Sequence, residues 1–239
     1  MSYWQQVLWL AKFEYKQIWR HLLLLIPAFI LLIIFIVPSM PEYLHHSFFG
    51  IDMMFFLAFG VVTGWARPKN FRLDKLNTGQ WASSYQLLLQ QLPIKKSVII
   101  TYRFLTYIIT ATLFGIVLLG ALYVLSPELR ATMSIGTYIV FSIIWLAYNL
   151  YFGGSQLIEE VGSPWRNLIF WSLLISFVFV ITGIVVFYKW TTFGLVGWTI
   201  HIAHHYPIIS VIVSLLLTVV GLKYWMHVMK KRMATLDYF

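Results

Sequence analysis

The sequence predicts an all-α membrane protein with six transmembrane helices, an N-terminal amphipathic helix lying in the membrane interface, and a cytoplasmic connection between the second and third spans. Three observations carry this. Hydrophobic residues make up 60% of the 239-residue chain and charged residues only 10%, with mean hydropathy +0.80. Several apolar runs reach the ~20 residues that cross a bilayer core as helix. The ten-residue alternation of an outer-membrane barrel is missing. Nothing repetitive or of low complexity divides the chain, so 1–239 reads as a single membrane domain.

The elements follow in order. Over 1–21 the stretch SYWQQVLWLAKFEYKQIWR sets Trp4, Val7, Leu8, Ala11, Tyr15, Ile18 and Trp19 on one helical face, with Gln5, Lys12, Lys16 and Arg20 on its flank. That is the pattern of an interfacial helix. A signal peptide would put a short basic stretch before its apolar core and small residues after it; here about twenty residues precede the core and PSMPEY follows, so the segment is expected to be retained. Apolar spans are then expected at 22–37, 48–65, 98–125, 137–158, 168–188 and 208–228.

Charge orients them. The first connection, 38–47, holds no lysine or arginine, whereas the second, 66–97, holds Arg67, Lys69, Arg72, Lys75, Lys95 and Lys96. The third, fourth and fifth hold only Arg130, Arg166 and Lys189, and Lys230, Lys231 and Arg232 follow the last span. Basic residues mark cytoplasmic segments, which puts both termini in the cytoplasm, and six spans satisfy that parity. The formal charge of +9 is thereby explained without nucleic acid. Several of the eleven tryptophans (Trp4, Trp19, Trp65, Trp165, Trp190, Trp198) fall at expected membrane faces, as an aromatic belt does.

The second connection ends in QQLPIKKSVII, an abrupt polar and basic interruption. Residues 85–91 read as a short helix. Pro93 disfavours helical backbone at Leu92 and removes a donor, so a new helix starts near Ile94 and rises into the third span. Lys95 and Lys96 then sit at headgroup level, facing anionic lipid or an acidic groove.

The combination of a retained amphipathic helix, six spans, short outer loops and the cytoplasmic LPIKKSVIITYRFL resembles the small permease subunits of type-2 ATP-binding cassette exporters. The match to the family's segment between spans two and three rests on Leu92, Pro93, Ile94, Lys95, Lys96 and Arg103. The resemblance implies that the elbow of Gln91, Leu92, Pro93, Ile94, Lys95 and Lys96 is similar to the coupling helix that rests in a groove of a cytoplasmic ATPase. It also implies a second permease copy or a related permease, and an extracytoplasmic re-entrant segment at 189–207. No G-x-x-x-x-G-K-[ST] loop is present, so ATP and Mg are expected on the partner ATPase, with no cofactor on this chain and no catalytic residues. A bacterial plasma membrane is the expected setting. The expected cargo, carried outward, is hydrophobic or amphipathic, with a peptide toxin or antimicrobial peptide ahead of a drug or lipid.

Polar residues in the spans complete the reading. Asp52, a turn inside the second span, is expected to face protein or water, serving either as a gating or cargo-contacting group or as a solvated helix end. Arg103 is expected to snorkel to the cytoplasmic headgroups. Glu159, Glu160 and Arg166 read as a polar cytoplasmic turn. They also raise an alternative, an intramembrane protease of the Abi/CAAX type, against which stand the helix-breaking Gly162, Ser163 and Pro164 and the ~30 Å of hydrocarbon expected between the glutamates and His201, His204 and His205. An ion-coupled secondary carrier is a further alternative, opposed by the lack of paired broken helices. His201 and His205, spaced i, i+4, are the candidate metal ligands, with His45 and His46 on the same expected side; protonation near pH 6 would alter the charge of that rim. With no cysteine, thiolate sites are excluded.

Overall fold

Apolar helices dominate the computed structural model, which describes residues 2–23, 25–60, 73–75, 81–162, 178, 181–191 and 193–235. The elements are α1 (Tyr3–Leu22), α2 (Leu25–His45), α3 (Phe49–Gly60), strands β1 (Leu73–Lys75) and β2 (Trp81–Ser83), α4 (Ser84–Gln91), α5 (Lys96–Leu125), α6 (Pro127–Thr132), α7 (Ile135–Val161), α8 (Ile181–Trp190), α9 (Leu195–His205) and α10 (Pro207–Thr235). Four are long and apolar enough to cross a membrane: α2, α5, α7 and α10. The shorter apolar helices α3 and α8 stand where the second and fifth spans were expected, and the remainder of those spans lies outside the described residues. The fold is helical as expected, with one small antiparallel ladder that pairs Leu73 with Ser83 and Lys75 with Trp81. Strands of three residues are too short to show a period in sequence.

Helix ends follow local chemistry. Ser83, Ser126 and Ser134 accept from backbone N–H groups in the first turns of α4, α6 and α7, and Pro127 opens α6. Gly162, at φ 107°, stops α7 in a conformation that only glycine adopts without strain.

α2 runs through Pro38 and Pro41 to His45, beyond the expected end of the first span. Its buried stripe, Ile36, Met40 and Tyr43, carries it past the two missing donors, because packing of an apolar face outweighs local ladder loss. α1 is also turned relative to expectation. Val7, Leu10, Ala11 and Glu14 face the protein, while Trp4, Leu8, Trp9 and Phe13 face outward. The helix docks on α5, and its bulkiest apolar groups are left for the surroundings.

Two core clusters divide the bundle lengthwise. One gathers Ile36, Met40, Phe55, Phe59, Leu118, Leu122, Phe141, Trp145, Val196 and Ile200. The other gathers Val7, Leu10, Leu89, Val98, Tyr102, Leu157, Val161, Met229 and Met233. α5 and α7 contribute to both, in opposite chain directions. With 30 and 29 residues, α5 and α10 are each about 44 Å long, more than a ~30 Å hydrocarbon core needs. α5 by its first turns and α10 by its last reach the second cluster, where exposed Lys12, Lys16, Lys95, Lys96, Lys230, Lys231 and Arg232 define a basic pole.

Candidate functional site

The knee between α4 and α5 sits on the basic pole. Helix α4 stops at Gln91, Leu92 takes an extended conformation (φ −78°, ψ 149°), and Ile94 N–H donates to the Leu92 carbonyl at 2.7 Å across Pro93. Lys95, also extended, precedes α5. The underside of α4 is anchored through buried Tyr85, Gln86 and Leu89, and its outer side offers exposed Leu88, Gln91 and Leu92 beside Pro93 and Lys95. Ile94 is half-buried. Lys96 is exposed but engaged: its Nζ donates to the Met233 carbonyl at 2.8 Å, completing the last turns of α10. The bend expected from Pro93 is present, with α5 beginning two residues later than expected.

Two turns into α5, Arg103 contradicts the snorkelling expectation. It is 5% exposed, its Nε and Nη2 donate to Glu160 Oε2 at 3.0 and 2.5 Å, and its Nη1 donates to Glu14 Oε1. A guanidinium offered two protein carboxylates in fork geometry has no reason to reach for headgroups. Glu160 likewise is no residue of a solvated turn; it lies inside the last turn of α7, fully buried. Glu159 is half-buried beside it, and Arg166 lies outside the described residues. The third member, Glu14, was missed by sequence reasoning. Its spacing from Val7, Leu10 and Ala11, one apolar stripe at i, i+3, i+4 and i+7, was the signal available. Burial pushes the Glu14 carboxyl above its ordinary range; the charge and hydrogen bond of Arg103 oppose this, and the charge of Glu160 reinforces it.

At the opposite pole Asp52 is fully buried, which rules out the solvated helix end. Its Oδ1 accepts from Tyr43 Oη at 2.6 Å and Val196 N at 2.8 Å, and its Oδ2 accepts from Tyr188 Oη at 2.5 Å and Leu195 N at 3.0 Å. Tyr43 Oη in turn accepts from Gly197 N at 3.0 Å. Asp52 thus caps α9 while lying in the first turn of its own α3, so two helix N-termini favour its charge. Gly194 permits the approach, since a Cβ there would collide with the oxygens of Asp52, Tyr43 and Tyr188.

The clasp locks α9 inside 189–207. This 11-residue helix buries Val196, Thr199, Ile200 and Ala203 and is too short, at about 16 Å, to cross a bilayer. On its exposed face His201 stacks on Phe193 and on His205, the imidazole centroids 4.1 Å apart. Among the described residues no group of three or more His, Asp or Glu side chains is placed to hold a metal ion, so His45, His46 and Glu42 do not complete a set with them.

Nor do the glutamates and histidines meet. Trp145 Nε1 donates to Thr199 Oγ1 at 3.2 Å, fixing α9 at that level of α7, and the fifteen residues from Trp145 to Glu160 rise about 22 Å. Between the poles, Asn149 Nδ2 donates to the Ala111 carbonyl at 3.1 Å and Gln156 Nε2 to the Gly60 carbonyl at 2.6 Å. These polar side chains join α7 to α5 and α3. Compared with protein-family models, curated proteins and solved structures, the chain matches none.

Proposed function

We propose that this chain is the membrane-spanning permease subunit of an ATP-binding cassette exporter of the type-2 kind, acting in a bacterial plasma membrane. The observation that carries the reading is the exposed, bent, basic knee at 91–96, anchored on one side by α4 and continuous on the other with α5, the longest described helix. A separate ATPase docks there and carries ATP and Mg; this chain contributes no nucleotide chemistry. Excess lysine and arginine at the pole of the knee supports a cytoplasmic placement for it and for both termini. Six spans, the second and fifth represented among the described residues by α3 and α8, would satisfy that placement.

Closure of the cassettes would push on Leu88, Leu92 and Lys95. A continuous 30-residue α5 transmits a push as displacement, and Arg103 passes it to α1 and α7 through the two carboxylates. A second copy or a related permease would supply the other wall of the path. The outward cargo is hydrophobic or amphipathic, a toxin-like or antimicrobial peptide ahead of a drug or lipid, in keeping with the apolar, aromatic-rich spans.

The test is a double substitution, Pro93→Ala with Lys95→Glu. Both side chains are exposed, so stability should change by less than about 0.5 kcal/mol each. Stimulation of the co-purified ATPase by the membrane subunit should be lost. Unchanged stimulation in a normally inserted variant would remove the knee from the mechanism.

A further inference from the structure

The exposed face of α9 carries a pair of imidazoles that neither the Asp52 clasp nor the knee uses. His201 and His205 stand one turn apart, both exposed, their centroids 4.1 Å apart and their planes 29° from parallel. Both rings are held. Phe193 stacks on His201 at 5.7 Å and 17°, and His205 Nδ1 lies 3.0 Å from the His201 carbonyl oxygen. A carbonyl only accepts, so Nδ1 carries the proton and donates, which leaves Nε2 of the neutral, exposed ring with its lone pair. Metal-bound imidazoles are fixed in this way: the nitrogen that does not bind donates to a carbonyl or carboxylate, setting tautomer and ring orientation. The helix beneath them is anchored as well. Asp52 accepts from Leu195 and Val196 N–H, Trp145 donates to Thr199, and Val196, Thr199, Ile200 and Ala203 are buried.

We propose that His201 and His205 form a two-ligand site for a divalent transition metal ion, Cu(II) binding most strongly, with the remaining positions taken by water. The inference stands whether or not the chain serves an exporter. An i, i+4 pair is the spacing by which one helix face presents two imidazoles to a single zinc. Two nitrogens bound to one ion at about 2.0–2.1 Å stand about 3 Å apart, so rings already 4.1 Å apart need only a small side-chain rotation. Imidazole suits copper, nickel and zinc, whereas calcium and magnesium take oxygen ligands and are not expected here. The usual order of divalent affinities then puts Cu(II) ahead of Ni(II) and Zn(II). His204, tilted 55° with its centroid 6.2 Å from His205, is not stacked in the pair, and among the described residues no third His, Asp or Glu completes a metal-binding group. The site is therefore open and exchangeable, unlike a closed structural zinc site with four protein ligands.

The chain lacks cysteine, so no thiolate competes for copper. Purified without a polyhistidine tag into nanodiscs, it is titrated with Cu(II) and followed by electron paramagnetic resonance. The first Cu(II) equivalent should show coupling to two imidazole nitrogens, and Zn(II) should displace it only in excess. His201→Ala and His205→Ala should each weaken binding by at least about 10–100-fold, the loss that follows from removing even an outer partner of a metal ligand. His204→Ala should leave it unchanged. All three side chains are exposed, so the variants should fold normally. As a second readout, Zn(II) should slow hydrogen exchange in α9 of the parent and not of His205→Ala, because an ion bound only by the folded helix stabilises it. Copper binding that survives both substitutions in the pair, or falls equally with His204→Ala, would overturn the proposal. So would a parent without nitrogen coupling, or one whose α9 exchanges at the same rate with saturating Zn(II).

Discussion

At one pole Asp52 brings a single negative charge to two tyrosine hydroxyls, two backbone N–H groups and two helix N-termini. At the other, Glu14 and Glu160 both reach the guanidinium of Arg103. The first knot is saturated, built mostly from backbone and neighbouring rings, and holds a short helix in one place. The second rests on long side chains from three elements and lies two turns from the exposed knee. The contrast teaches where the molecule is fixed and where it can give: a network of backbone groups and neighbouring rings rigidifies one short helix, whereas long side chains drawn from three helices feel any displacement among them.

Breaking the knot at Arg103 should have the largest effect. Arg103→Met leaves two buried carboxylates facing each other and should cost about 3–5 kcal/mol, read as a lowered unfolding midpoint or failure to accumulate in membranes. Arg103→Lys should not restore it, because an ammonium cannot present the fork that joins Glu14 and Glu160. Next comes the saturated knot. Asp52→Ala strands donors from Tyr43, Tyr188, Leu195 and Val196 and should cost about 3 kcal/mol, with faster hydrogen exchange confined to α9. Gly194→Ala, which presses a methyl group into the same oxygens, should cost about 1–3 kcal/mol and mimic that exchange pattern. The smallest effect belongs to Lys96→Met, which removes one contact to the Met233 carbonyl at an exposed helix end and should cost about 0.3–1 kcal/mol. Arg103→Met and Asp52→Ala lie at opposite poles and share no partner among the described residues, so their effects should add within about 0.5 kcal/mol.

Sequence reading reached the helical class, the position of each long helix and the bend at Pro93, because twenty-residue apolar runs and proline carry local signals. It placed the boundary of α2 too early, since Pro38 and Pro41 break a ladder locally while Ile36, Met40 and Tyr43 restore the helix through tertiary packing. The polar knots were only half legible. Asp52 and Arg103 stood out as charges inside apolar runs, yet their partners lie 89 positions away in Glu14 and 136 in Tyr188, and no periodicity links residues so distant. Glu14 stands between Lys12 and Lys16, and only its spacing from Val7, Leu10 and Ala11 ties it to the buried face of α1.

The most direct measurement uses the cysteine-free background again. A photo-crosslinker on Leu92→Cys, at the knee, and another on Trp190→Cys, exposed at the opposite pole, are activated in intact membranes and the adducts identified by mass spectrometry. The exporter reading requires a nucleotide-binding chain crosslinked from position 92 and not from 190, with thiol reagents reaching 92 only from the cytoplasmic side. Adducts with that chain from both positions or neither, or labelling of 92 from outside the cell, would contradict it.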